Sequence, residues 1–269
     1  MTGPVHGSRF ENGVQKYADY LESVEGRLRL DLAFTNLQEF LPEAKPSLLI
    51  LDVGCGTGAL AARLARLAHN VTLLDSSIEM LDFAERALRD AGLAGNVALK
   101  HGEAAQLTHL FPDTLFDLVL CHNILEYVDD PADVLRRAAC LLRHPGILSV
   151  LVRNRAGEVL KAALKDGDVA AAENNLTADW GHESLYGGSV RLFATESLHA
   201  MLASASLTVI AERGVRVISD YLPSSVQRND DYKRIFELER KLGRQPEFAA
   251  LARYTHCLAH RAGPVKSAA

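Results

Sequence analysis

Apolar positions along the chain switch between two periods. From Phe10 to Leu41 they recur at helical spacing (Val14, Tyr17, Tyr20, Leu21, Leu28, Leu32, Leu37, Leu41), interrupted at Gly26, which predicts two helices before the first strand. Leu48–Leu51 is a continuous apolar run. It ends in Asp52, Val53 and three glycines at alternate positions, Gly54, Gly56 and Gly58, and an Ala/Leu-rich run starts at Ala59. That order predicts a buried strand turning tightly into a helix. The same alternation predicts a helix over 59–67, a strand over 71–75, a helix over 78–91 capped by Ser77 and closed by Gly92, and a strand over 97–100. A strand over 116–121, a helix over 131–142 and a strand over 147–152, entered through Pro145-Gly146, follow. Strands alternating with helices at this interval call for a parallel sheet with helices on both faces.

Beyond Val152 the alternation breaks. A charged, Ala-rich helical stretch to about Asn174 leads into a polar segment, 175–189, that holds the single tryptophan, Trp180. This insertion is a candidate substrate cover. The pattern then predicts a helix over 195–203, a strand over 207–212, a loop over 214–222, a charged helix over 230–242 and a last strand over 251–259. The expected organisation is a seven-stranded, mostly parallel α/β sheet, with an N-terminal helical lid over 1–45 and a main domain over 46–269 interrupted at about 154–194. Met1–Arg9 reads as frayed and the tail after Gly263 as disordered.

The glycine loop is the candidate ligand seat, because a Cβ there would hold a ligand off the backbone and tight turns use positive φ. Its spacing is G-x-G-x-G with no following lysine, which fits neither the dinucleotide fingerprint nor the phosphate loop. It resembles motif I of class I methyltransferases that use S-adenosylmethionine (SAM), in which an acid ahead of the glycines, here Asp52, faces the cofactor's amino-acid end. Asp75, about twenty residues on and followed by Ser76, is placed to accept both ribose hydroxyls of an adenosine; the alternative is a strand-end helix cap. Glu103 and Ala104, after the third strand, stand where an adenine is read, though Glu103 also reads as an exposed loop acid. His122 ends the fourth strand, either as a general base or as pocket lining. On the helical lid, Arg29 could clamp the methionyl carboxylate, or be a solvated helix-face arginine.

A net charge of −5 argues against a protein that coats nucleic acid by charge alone. Cys55, Cys121, Cys140 and Cys257 are scattered and the ten histidines lack ligand spacing, so neither a metal site nor a disulfide framework is indicated. No apolar run is long enough to cross a bilayer and no signal segment is evident, which leads to the expectation of a cytoplasmic protein without a membrane partner.

The chain resembles the tRNA 5-carboxymethoxyuridine methyltransferases over most of its length. The likeness runs from Gly26-Arg27-Leu28-Arg29 through the LDVGCGTG loop and HNILEYVDDP to the C-terminal block beginning GVRVISDYL, and is weakest over 166–194. It implies a Rossmann-like class I methyltransferase fold, SAM as cofactor with S-adenosylhomocysteine as product, and tRNA as partner. The implied reaction converts the carboxylate of a modified wobble uridine to a methyl ester. The cofactor contacts it implies are Arg29, Gly54, Cys55, Asp75, Ala104 and His122, beside Asp52, Gly56, Ser76 and Glu103 from the reading above. The chain departs from the family over 175–189, where few basic residues replace a lysine-rich run. An ionised carboxylate needs a cation or hydroxyl to orient it; Arg153, Arg216 and Tyr221 are the candidates. A small-molecule O- or N-methyltransferase and a SAM- or nucleoside-binding protein without transferase activity are the alternatives.

Overall fold

The computed structural model describes residues 13–42, 45, 47–183, 185–223 and 225–261; Met1–Arg9 and the tail after Gly263 lie outside the described residues. Helices α1 (Val14–Glu22) and α2 (Val24–Gln38) meet at Ser23, whose hydroxyl accepts the Gly26 N–H at 3.1 Å and caps α2. Glycine is required at 26, since a Cβ would lie 1.9 Å from the Tyr20 carbonyl oxygen. The chain continues through β1 (Leu49–Val53), α3 (Ala59–Arg66), β2 (Asn70–Asp75), α4 (Ile78–Asp90), β3 (Val97–His101), α5 (Leu107–Leu110), β4 (Phe116–His122), α6 (Pro131–Cys140) and β5 (Leu142–Arg153). Next come α7 (Arg155–Leu160), a π-helical turn (Lys161–Lys165), α8 (Val169–Asn175), and a hairpin of β6 (Trp180–His182) with β7 (Ser189–Arg191). Then follow α9 (Thr195–Ser204), β8 (Leu207–Val215), α10 (Tyr232–Leu242), α11 (Pro246–Ala249) and β9 (Tyr254–Arg261). No helix among the described residues is long and apolar enough to cross a membrane.

The large sheet has seven strands in the order β3-β2-β1-β4-β5-β9-β8, and β1 runs parallel to both β2 and β4. Covered on both faces, β1 and β4 are near-continuous apolar runs: Ile50, Leu51, Val53 and the stretch from Leu118 to Cys121 are all buried. Each such large side chain contributes about 1.5–3 kcal/mol. Because Val53 pairs with Leu74, the carboxyl ends of β1 and β2 finish side by side, with the glycine loop beside Asp75. The start of α4 is set by its predicted cap, the Ser77 hydroxyl accepting from Met80 N–H at 3.2 Å, and that of α6 by Asp130, which accepts from Asp133 N–H at 2.9 Å with Pro131 in the first turn.

The chain forms two compact units. One gathers Met1–Leu41, Leu151–Thr195 and Glu212–His256; the other gathers Pro42–Val150, Glu196–Ala211 and Cys257–Ala269. The core of the first packs Leu28, Leu32 and Ala33 of α2 with Leu151, Val215, Ile235 and Tyr254. In the same unit the buried Glu239 carboxylate of α10 accepts three backbone N–H groups of the turn after β8, from Val217 (2.6 Å), Ile218 (3.0 Å) and Ser219 (2.6 Å).

Several elements differ from the pattern reading. β5 starts at Leu142 and carries Pro145-Gly146 within it, which the exposure of His144 and Pro145 allows. β8 runs on to Val215, because Gly214 lets α11 approach: a Cβ there would lie 2.7 Å from the Ala249 Cα. The polar segment 175–189 contributes β6 and the start of β7. Finally, β9 starts at Tyr254, after α11 and a turn.

Candidate functional site

The second unit holds the glycine loop. Gly54, Gly56 and Gly58 all have positive φ (68°, 54° and 72°), so the chain turns on bare backbone between β1 and α3. A Cβ on Gly54 would lie 2.7–2.9 Å from three side-chain atoms of Ile124. Asp75, at the end of β2, accepts the Gly56 N–H at 2.8 Å and the Ser77 N–H at 3.0 Å, so it fastens the loop and holds the turn that leads to Ser77, the cap of α4. Ser76 presents its carbonyl to His101 Nε2 at 3.1 Å. After β3, Glu103 is exposed and its N–H is held by Gln106 Oε1 at 3.1 Å, while Ala104 is buried. At the end of β4, His122 Nε2 lies 2.8 Å from Ser149 Oγ. The order β3-β2-β1-β4 therefore sets the 103–104 turn, the 75–76 turn, the glycine loop and His122 along neighbouring strand ends, where open α/β sheets bind ligands.

The electrostatics of this rim are one-sided. Burial, with Asp75 adding to it, pushes the Asp52 carboxyl up to about 7. Asp75 is also raised by burial, against the pull of the Ser77, Gly56 and Ser76 N–H groups. Burial, Asp75 and Asp52 together raise the Cys55 thiol, which therefore stays protonated and is no nucleophile. No cation contributes to the shift on Asp52, so a positively charged ligand beside it would relieve the strain.

The remaining predicted residues, Arg29, Arg153, Arg216 and Tyr221, lie in the first unit. Arg29 is buried, donates to the Tyr17 hydroxyl at 2.9 Å, and has its guanidinium 5.0–5.7 Å from the ring centres of Tyr17, Tyr20 and Tyr254. Arg216 is buried with φ +62°; it donates to the Tyr20 hydroxyl at 3.0 Å and to Asp220. Arg253 bridges Asp220 (3.2 Å) and Glu158 (3.0 Å), and Arg153 pairs with Glu158 (3.1 Å) and Glu183 (3.7 Å). The Tyr221 hydroxyl donates to the Gly157 carbonyl at 3.4 Å. Burial pushes the Tyr254 phenol up, but Arg153, Arg29, Arg216 and Arg253 outweigh it and bring it down to about 8. Sequence reasoning missed Tyr17, Tyr20, Tyr254, Asp220 and Arg253 as members of this cluster. Tyr17 and Tyr20 carried a signal, three residues apart on one helix face, but it was absorbed into the apolar periodicity.

The methyltransferase domain family matches residues 51–150, the stretch from within β1 through the glycine loop into β5. The protein is an S-adenosylmethionine-dependent methyltransferase of the class I fold. It resembles the tRNA 5-carboxymethoxyuridine methyltransferase of Escherichia coli K12, with 29% identity over 262 residues covering 94% of this chain and 95% of the relative. A ubiquinone biosynthesis O-methyltransferase of Methylocella silvestris is 30% identical over 182 residues, covering 65% of this chain and 64% of that one. Among solved structures, the magnesium protoporphyrin IX methyltransferase of Synechocystis PCC 6803 with bound S-adenosylhomocysteine superposes with a TM-score of 0.65 at 14% identity, covering 95% of this chain and 98% of that one, which shows the shared fold.

The residues at the strand ends fit a cationic nucleoside: bare backbone, a strand-end carboxylate and an uncompensated buried acid. Gly54→Ala is accordingly expected to weaken SAM binding about tenfold or more, through the Ile124 clash and the positive φ. Calorimetry on the variant checks this, and an unchanged affinity would take Gly54 out of the site.

Proposed function

We propose that the protein methylates, from SAM, the carboxylate of 5-carboxymethoxyuridine at the tRNA wobble position, giving a methyl ester. The observation that carries this reading is the end-to-end likeness to the Escherichia coli relative, which takes in both units, whereas the ubiquinone O-methyltransferase likeness covers about two thirds of the chain.

In this reading Asp75 and Ser76 receive the ribose, Glu103 and Ala104 border the adenine, and the bare backbone of the Gly54–Gly56 turn lies against the cofactor's chain. Asp52 balances its positive charge. The resemblance assigns Arg29 to the methionyl carboxylate. When bound, the cofactor supplies a methyl group on a positively charged sulfur. The acceptor carboxylate arrives ionised, so the chain has to orient it in line and no base has to activate it. His122, set against Ser149, then serves as pocket lining.

Arg153, Arg216 and Tyr221 are the proposed orienting groups for the substrate carboxylate. Support comes from two buried donors in one turn, Arg216 Nε and Ser219 Oγ, which have no hydrogen-bond partner among the described residues. An incoming carboxylate would satisfy both. A small-molecule O-methyltransferase is the second reading, favoured by the Methylocella relative and the acidic isoelectric point near 6.1.

Incubation with methyl-labelled SAM and bulk tRNA tests the choice. The expected product is label that is ribonuclease-sensitive and released by mild alkali, as an ester must be. Label appearing only on small metabolites overturns the tRNA reading.

A further inference from the structure

The insertion displays a two-sided hairpin that the transfer chemistry does not use. β6 and β7 pair antiparallel, with Trp180 opposite Arg191 and His182 opposite Ser189. Side chains alternate across a strand, so these four share one face and Val190 takes the other. Val190 is completely buried. The opposite face points to solvent: Trp180 is 50% exposed, and His182 and Ser189 are exposed.

An indole left half in water is a poor use of the only tryptophan in the chain if packing were its role. Its orientation is nonetheless held, because the Arg191 guanidinium lies 4.6 Å from the ring centre. The charge of the segment is sorted as well. Both acids between 177 and 191, Asp179 and Glu183, are drawn to Arg155 (2.5 Å) and Arg153 (3.7 Å). The outward face therefore offers an aromatic plane, a guanidinium, an imidazole and a hydroxyl, with no carboxylate among its four residues. The loop joining the strands brings Tyr186 to 6.2 Å from Tyr17, whose hydroxyl accepts from Arg29, so the hairpin abuts the arginine–tyrosine cluster of the same unit.

We infer that this face is a stacking platform for an unpaired nucleobase of an RNA loop, with Trp180 carrying the base and Arg191 and His182 facing the adjoining phosphates. Flat aromatic and guanidinium planes are how proteins hold splayed loop bases without demanding dense positive charge. The inference rests on the tRNA reading above and adds to it the element that grips the loop beside the modified base. It would let a chain of net charge −5 hold an RNA loop by stacking beside a few cationic contacts.

Because Trp180 is the only tryptophan, its fluorescence reports on this face alone. The experiment titrates the S-adenosylhomocysteine-bound protein with a synthetic anticodon stem–loop RNA, following indole emission and the anisotropy of end-labelled RNA together. A fully paired duplex of the same length is the control. The expected result is saturable quenching with the same midpoint as the anisotropy and little quenching by the duplex. Trp180→Ala should raise the RNA Kd about tenfold, Trp180→Phe should recover most of that, and calorimetric affinity for S-adenosylhomocysteine should stay unchanged in both. Stem–loop binding without quenching, or with the same Kd in Trp180→Ala, overturns the platform. So does a wild-type protein that binds no stem–loop. Assaying methyl transfer to tRNA alongside separates the two ideas: transfer with an indifferent Trp180 leaves the reaction standing and removes the platform, whereas quenching and a Trp180-dependent Kd without transfer keep the platform and remove the reaction.

Discussion

Asp52→Asn is expected to weaken SAM binding about tenfold or more and, in the same protein without cofactor, to raise the melting temperature at pH 8. Both effects follow from one carboxyl group that is buried beside a second acid. Its ionisation is pushed from the ordinary 3.8 to about 7 in the folded chain, so the folded state holds that proton more tightly than the unfolded state does. Stability from this group is fully present below about pH 4, declines as pH rises toward 7, and is flat beyond; by linkage the full span is roughly 4 kcal/mol. Asparagine cannot ionise, so the variant escapes the decline, and its advantage over the wild type should grow from pH 5 to pH 8. Cofactor binding runs the other way. A cationic ligand favours the ionised carboxylate, so wild-type affinity should rise between about pH 6 and pH 8, with proton release that makes the calorimetric heat depend on the buffer. Thermal scans across pH and calorimetry in two buffers check the pair. A variant that binds SAM as tightly as the wild type removes Asp52 from the site.

Arg216→Ala is the second large effect: a loss of about 3–5 kcal/mol in stability, read by denaturant unfolding. Arg216 and Asp220 are both buried, and truncating the guanidinium leaves the carboxylate with Arg253 alone and the Tyr20 hydroxyl without its donor. Two further variants separate the causes. Arg216→Gly should be about 1 kcal/mol less damaging than alanine, since glycine accepts the φ of +62° without penalty. Adding Asp220→Asn to Arg216→Ala should restore part of the loss, because the stranded charge goes with it. On the proposed tRNA reading, a variant that remains folded should bind SAM near wild-type affinity while its KM for tRNA rises. An unchanged KM would leave Arg216 a purely structural residue.

The sheet was legible because its signal is local and repeated. Each of β1, β2 and β4 is a short apolar run closed by glycine, acid or polar residues, and the cap at Ser77 marks a helix start in a few letters. The clustering of Asp52, the glycines and Asp75 at one sheet edge was legible for the same reason: they are strand-end residues, and parallel pairing brings strand ends together; that this edge seats the cofactor is the reading proposed above. The hairpin at 180–191 was not, since three-residue strands with one inward valine leave too little alternation to read. The arginine–tyrosine cluster was only partly legible, because its members come from α1, α2, β5, the turn after β8 and β9, and no spacing along the chain links them. Glu239 shows how the same charge pattern hides two fates. Beside Glu237, which pairs with Arg240 at 2.8 Å on the helix surface, it looks like one more member of a salt-bridged helix, yet it is the buried cap of the Arg216 turn.

The scattered make-up of the first unit bears on how the protein is made. Leu28 and Leu32 leave the ribosome well before the groups that cover them, Val215, Ile235 and Tyr254, which lie about two hundred residues further along the chain. At ordinary synthesis rates that wait is on the order of ten seconds or more, during which an apolar stripe of α2 stays uncovered. A nascent chain that has not yet reached Tyr254 is therefore expected to present that stripe to chaperones.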